Sequence, residues 1–207
     1  MRLSMPCDGG AVVDPRADLR PAFSSLGMTA TVARMAVSPR EPQLDSADPA
    51  TQLVAYLDYY RGVVDRKLGG LSDDQLRSSV LPSGWTPLQL LNHLVHMERR
   101  WFVWGFLAEP VEDPRGDFVD GIDEGPWQVS DGVTAAELLG RLHEGGQRTT
   151  QILTTTSLAA RGAVGGRFTS EPAPTLLWIA LHVLQEYARH AGHLDIVREL
   201  ADGAVGE

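Results

Sequence analysis

The sequence predicts an all-α fold, an antiparallel four-helix bundle preceded by a disordered N-terminal extension. Three observations carry this. Apolar residues repeat at 3–4 spacing in four segments, and no useful length of apolar–polar alternation marks a strand. Helix-start signals open the segments: Asp48-Pro49, Thr86-Pro87 with Gln89, and Thr134 with Glu137. Mixed short and long connections join them, as in bundles.

Residues 1–44 mix Gly, Pro, Ser and scattered charge without a sustained period, and read as the extension, with residues 45–207 as the folded domain. Met28 and Met35 are read as candidate translation starts, an expectation that the intact mass of the native protein would check. The first helix is capped by Asp48, repeats Leu53, Leu57, Tyr60, Val64 and Leu68, and stops at Gly69-Gly70. Ser72-Asp-Asp-Gln75 starts a short extra turn. The second helix follows the Leu81–Trp85 turn and runs to about Leu107. Three prolines and several glycines make Ala108–Val133 a long connector, the kind of loop that is usually functional or mobile. The third helix runs from Thr134 to about Thr156, its inner stripe diluted by Gly145-Gly146. After a Gly/Pro loop, the fourth begins near Pro174 and ends at Gly203.

Composition narrows the function. The net charge of −9 is concentrated between Glu109 and Glu144, where ten acidic residues face two arginines. With no basic patch, nucleic acid is excluded as a partner. No run of 18 apolar residues predicts a membrane span, and the N-terminus lacks a secretory h-region. The single cysteine, Cys7, fits a reducing cytoplasm.

The fourth helix holds three of the six histidines in His182-Val-Leu-Gln-Glu186-Tyr-Ala-Arg-His190-Ala-Gly-His193. At ~100° per residue, Thr175, Ile179, His182, Glu186, His190, His193, Val197 and Leu200 share a stripe roughly 80° wide. Asp195, Arg198, Glu199 and Asp202 lie on the other side, so the stripe reads as inward. Inward ionisable groups are costly unless paired or metal-bound. On the second helix, His93 shares a stripe with Leu90, Met97, Trp101 and Trp104, whereas His96 lies on the polar flank with Asn92 and Arg99. An inward His facing Glu186 and His190, one turn apart, suits a divalent ion in a bundle core. A hydrogen-bonded polar cluster is the plainer alternative. His182 and His193, a turn either side, are second-shell, substrate-facing or alternative ligands. Imidazole plus carboxylate favours Zn²⁺, Ni²⁺ or Fe²⁺ over Mg²⁺, Ca²⁺ or Cu(I). Arg100 is a candidate for binding an anionic group, and Trp104 joins it as a cofactor-contacting residue. Leu177, Leu181, Leu184, Ala188 and Ala191 form an opposite apolar face, which suits either another bundle helix or a homodimer.

Ser83-Gly-Trp85-Thr86, His93-Leu, Glu98-Arg-x-Trp101-Phe, Trp178, His182, Glu186-Tyr-Ala-Arg-His190-x-Gly-His193 and Leu200 together resemble the DinB superfamily, over about residues 48–203. The mycothiol-transferase-like branch is the nearest, with mycothiol-dependent maleylpyruvate isomerase a more distant relative. The resemblance implies a divalent metal held by His93, Glu186 and His190. Glu186 departs from the commoner three-His pattern and matches the isomerase branch. The resemblance puts His193 in a second-shell position, matches His182 only in the nearer branch, and supplies no catalytic base.

The expected function is a divalent-metal-dependent transferase that uses a low-molecular-weight thiol, mycothiol by resemblance, on an electrophilic small molecule. Arg100, Trp104, His182 and His193 are expected to contact the cofactor or substrate. Two alternatives stand beside it: a metal-dependent hydrolase using bound water, and a non-catalytic dimeric stress-response bundle.

Overall fold

The structure, a computed structural model, describes residues 41–43 and 45–205. The expected extension therefore lies outside the described residues, apart from 41–43, and so do Met28 and Met35. The elements in chain order are α1 (Pro49–Leu68), α2 (Asp73–Arg77), α3 (Pro87–Trp101), a π-helix (Phe102–Phe106), a 3₁₀ turn (Val119–Gly121), α4 (Ala135–Thr155) and α5 (Leu176–Asp202). Among the described residues there is no strand, only two isolated antiparallel bridges, Phe118–Trp127 and Arg161–Thr175. The fold is all-α.

The helices begin where the sequence places its caps. Asp48 Oδ2 accepts from Thr51 N at 2.8 Å and so satisfies one of the free amides of the first turn of α1. Ser72 with Gln75, Thr86 with Gln89 and Thr134 with Glu137 each close a reciprocal capping box. Thr175 caps α5, and Gly203, at φ 75°, ends it in the left-handed conformation that glycine takes without strain. The second predicted helix differs at its end. Its last turn widens into the π-helix, where Gly105 lets Phe168 approach: a Cβ there would meet the Arg100 carbonyl at 3.1 Å and the Phe168 ring at 3.4 Å.

α1 packs on α4 and α5, and α3 packs on the same two helices. Leu57, Val64, Leu90, Leu94, Leu138, Leu142, Ile179 and Val183 are among the residues that fill the space between them. A polar group spans that core. The buried Glu98 of α3 accepts from Arg61 of α1, Thr149 of α4 and Tyr187 of α5, one donor from each neighbouring long helix. Burial would lower the Arg61 guanidinium, but Glu98 outweighs it and the pKa rises. Burial, then Glu98, pushes the Tyr187 phenol well up, so it stays a donor. With its donors in place the buried carboxylate is compensated, and four helices are held to one register.

α5 corrects the inward reading of its histidine stripe. Its buried face runs through Leu176, Ile179, Ala180, Val183, Tyr187, His190, Ala191, Leu194 and Val197. The His/Glu stripe is rotated roughly 80° from the middle of that face, along its margin. His190 and Val197 are buried, Glu186 is 12 % exposed and Leu200 is 59 % exposed. A margin position is what a site with solvent access needs. On the opposite face Leu177 and Leu181 are 40 % and 51 % exposed. Asp195 pairs with Lys67 of α1, and Arg198 with Asp202. No helix of the described residues is long and apolar enough to cross a membrane.

Candidate metal centre

α3 and α5 carry the site between them. The rings of His93 and His190 lie 5.1 Å apart, centroid to centroid, and Glu186 sits one turn before His190. Each of the three offers a ligand atom, and these atoms all lie within 4.8 Å of one another. Glu186 Oε2 is 3.3 Å from His190 Nε2 and 2.8 Å from Arg189 Nη2. The His190 hydrogen bond, working against burial and helped by Arg189, holds the Glu186 carboxyl down at about 2.

The decisive partner comes from the connector. His93 Nδ1 lies 2.8 Å from Asp117 Oδ2, and Asp117 is fully buried. Asp117 also takes two bonds from the buried Arg100, at 2.7 and 3.2 Å. Burial alone would raise the Asp117 carboxyl, but the hydrogen bonds from His93 and Arg100 outweigh it and keep it ionised. An ionised carboxylate can only accept, so His93 donates from Nδ1 and its Nε2 carries the lone pair. Burial, only partly offset by Asp117, lowers the His93 pKa and keeps the ring neutral. His93 Nε2 is buried and has no hydrogen-bond partner among the described residues. A buried acceptor without a partner is costly and rare. Its neighbours in the cluster, an imidazole and a carboxylate, complete an N₂O donor set that fits a divalent ion.

Local structure explains how the connector reaches the site. Phe118 and Trp127 pair across an antiparallel bridge, and Gln128 N donates to the Asp117 carbonyl at 2.8 Å. Asn92 of α3 holds this small hairpin through a 2.9 Å bond to the Gln128 carbonyl. The Trp127 ring consequently stacks on His93 (4.4 Å, 20°) and stands edge-on to His190 at 5.2 Å. Trp85 lies 5.9 Å from Trp127 and 6.0 Å from His193. The long acidic connector is thus the roof of the site.

The remaining expected residues divide. His193 Nδ1 lies 3.2 Å from His190 Nδ1, so it orients His190 from behind and leaves Nε2 facing Glu186. His182 stacks on Trp178 (5.2 Å, 6°) and lies 4.3 Å from Trp101, about two turns of α5 before His190. Arg100 is engaged with Asp117 and, at 2.8 Å, with the Pro114 carbonyl, which makes it a support for the carboxylate behind His93. Trp104 stands in the π-helix under Arg115, and its carbonyl accepts from Arg167 N, so its contacts run to the loops beside α3. His96 stays on the flank, bonded to Arg99 at 3.2 Å. Asp117 and Trp127 complete the candidate site, and sequence reasoning assigns neither of them a role there. Their one available signal is the length of the connector that carries them.

A family model described as mycothiol-S-transferase matches residues 52–203. The chain belongs to the mycothiol-S-transferase family. No curated protein matches it. The matched span of this mycothiol-S-transferase family member runs from early α1 to the C-cap of α5, and so contains the whole His93–Glu186–His190 cluster, Asp117 and Trp127.

Proposed function

We propose that the protein joins a low-molecular-weight thiol, mycothiol, to an electrophilic small molecule, on a four-helix bundle whose antiparallel α3 and α5 hold a divalent metal through His93, Glu186 and His190. The observation that supports this most is the unpartnered, buried His93 Nε2, fixed by Asp117 and facing the other two ligands. Three protein ligands leave positions for an exogenous group, and the N₂O set suits Zn²⁺, Ni²⁺ or Fe²⁺. A divalent ion held there favours the thiolate form of a bound thiol at neutral pH.

The chain's own groups do the rest. Asp117 fixes the ring orientation and tautomer of His93, and His193 holds the ring orientation of His190. Trp127 covers the two imidazoles and keeps bulk water off that side. Arg189, which is exposed, is the cation nearest the open side of Glu186 and is available to an anionic group of either substrate. The reaction forms a carbon–sulfur bond, with loss of the thiol proton and of any leaving group on the electrophile. Metal analysis of the purified protein, followed by conjugation of a generic electrophile with and without thiol and chelator, tests this. Stoichiometric metal with thiol-dependent, chelator-sensitive turnover is expected. Turnover without thiol would replace the reading with a hydrolase. The exposed Leu177 and Leu181 of α5 make a homodimer our accompanying proposal, and a monomer at micromolar concentration by mass photometry would remove it.

A further inference from the structure

A cleft of about 470 Å³ opens beside the metal centre, lined by Ser83, Gly84, Trp85, Gln89, Gly125, Pro126 and Trp127. We propose that it is a subsite for a neutral polyhydroxylated ring, a pyranose or cyclitol. The proposal rests on the thiol-transfer reading, since it assigns the cleft to the sulfur-free part of the thiol.

Three observations point there. The first is the wall chemistry. Two indoles, 5.9 Å apart and tilted by 59°, offer faces on which the C–H face of a saturated ring stacks, while their N–H groups remain available for hydroxyls. The second is charge. No lining residue is charged, in a chain where 22 % of residues are. An anionic or cationic ligand would find no counter-ion, whereas a neutral one meets groups suited to it. Ser83 forms no hydrogen bond among the described residues, and Gln89 uses its Oε1 on Thr86 N while its amide NH₂ has no described partner. Gly84, at φ 84°, and Gly125, whose Cβ would fall 2.7 Å from the Val119 carbonyl, complete the walls without side chains that would fill the space.

The third is position and size. Trp127 is shared: its ring stacks on His93 and also packs against Trp85, so that the paired indoles line the cleft together. A ring stacked on the indole surfaces that line the cleft therefore lies one side chain away from the ligand cluster, with its thiol-bearing arm free to reach it. The volume falls within the ~300–1,000 Å³ of small-molecule sites. Mycothiol, whose glucosamine is joined to inositol, carries such a unit at the end remote from its sulfur. In this assignment Trp85 and Trp127 decide which low-molecular-weight thiol is accepted, and the His/Glu cluster decides what happens to it.

The test uses the thiol-free pseudodisaccharide N-acetylglucosaminyl-inositol as the probe, its nitrogen an uncharged amide, followed by tryptophan fluorescence and calorimetry on the full chain. Saturable binding is expected, weakened at least tenfold in Trp85→Ala and less in Trp85→Phe, which keeps an aromatic face. Ser83→Leu, at an exposed turn position, fills the cleft without touching the core and should also abolish binding. Circular dichroism certifies the fold of each variant, and Ser83→Leu carries the test if Trp85→Ala does not fold. No saturable binding, equal binding by the folded variants, or tighter binding of a flat apolar ring such as indole would overturn the proposal. The two readings separate cleanly. Metal-free protein that still binds the probe but transfers no thiol keeps the subsite. Thiol transfer by a protein whose variants bind the probe as the wild type does removes the subsite and keeps the reaction.

Discussion

Asp117 and His93 are bound across 2.8 Å in the interior of the protein, and that one contact sets the chemistry of the centre. The carboxylate takes the proton-bearing nitrogen, so the opposite nitrogen must be the acceptor. Loss of such a partner typically lowers metal affinity about 10–100-fold. Asp117→Asn should show that loss in a competition titration with a chromophoric chelator. The same substitution removes the counter-charge of the buried Arg100, and breaking a buried pair costs about 3–5 kcal/mol. The variant should therefore also melt well below the wild type. Unchanged metal affinity in Asp117→Asn would show that His93 is not oriented in this way.

Acid should destabilise the metal-free protein from an unusually high pH. Burial lowers the pKa values of His93, His96, His182 and His193 from the ordinary 6.5. A histidine held neutral in the fold, but protonated when unfolded, contributes stability above pH 6.5 that is lost as the pH falls through and below that value. The depressed carboxyls of Asp117 and Glu186 add a second loss below their ordinary values of 3.8 and 4.5. Thermal melts of chelator-treated protein at pH 8, 7, 6 and 5 should fall steadily below pH 7. His96→Gln, outside the ligand cluster, should flatten that slope, and a slope that steepens would contradict the assignment.

Helix starts and the α5 pair of the candidate cluster are legible in the sequence for the same reason: both are local. A capping box is written in four residues, and Glu186 and His190 declare one face by their spacing. The α3 partner is also readable, because His93 lies on the apolar stripe and His96 does not. Asp117 is not readable, since it meets His93 from 24 residues away inside a segment with no period. Trp127 arrives by the same hairpin. The rotation of α5 is not legible in the sequence because its leucine face and its histidine stripe are both largely apolar in the first half of the helix. Only packing by α1 and α3 decides which face is covered.

Glu98 illustrates a charge whose role appears only in three dimensions. It accepts from Arg61, Thr149 and Tyr187, so removing the carboxylate leaves the buried guanidinium only the exposed Asp58 at its rim. Glu98→Ala should cost about 3–5 kcal/mol by denaturant titration. Tyr187→Phe deletes one hydrogen bond to a charged group and should cost about 1.5–3 kcal/mol. Replacing Arg61 and Glu98 together with apolar residues of similar volume should cost much less than the sum of the single changes. Additive losses would show that the pair is not coupled.

The neighbouring glycines of α4 should respond to the same substitution with opposite signs. Both dilute the helix's apolar stripe in the sequence, and on helix propensity alone alanine gains about 0.8–1.0 kcal/mol at either position. At Gly145 a Cβ meets nothing within 4 Å, so Gly145→Ala should stabilise by up to about that amount. At Gly146 a Cβ would lie 2.8 Å from Arg61 Nε and 2.9 Å from its Cζ. An exposed arginine would swing aside, but this one is buried and clamped by Glu98. Accommodation must displace the guanidinium or part α1 from α4, and overpacking of this kind costs about 1–3 kcal/mol. Gly146→Ala should therefore be destabilising in spite of its propensity gain, as read by the midpoint of urea unfolding. In an Arg61→Met, Glu98→Leu background the clash and the clamp are both gone, and Gly146→Ala should then turn neutral or stabilising. A Gly146→Ala variant as stable as Gly145→Ala in the wild-type background would mean that Arg61 does not lie against α4 where the fold places it.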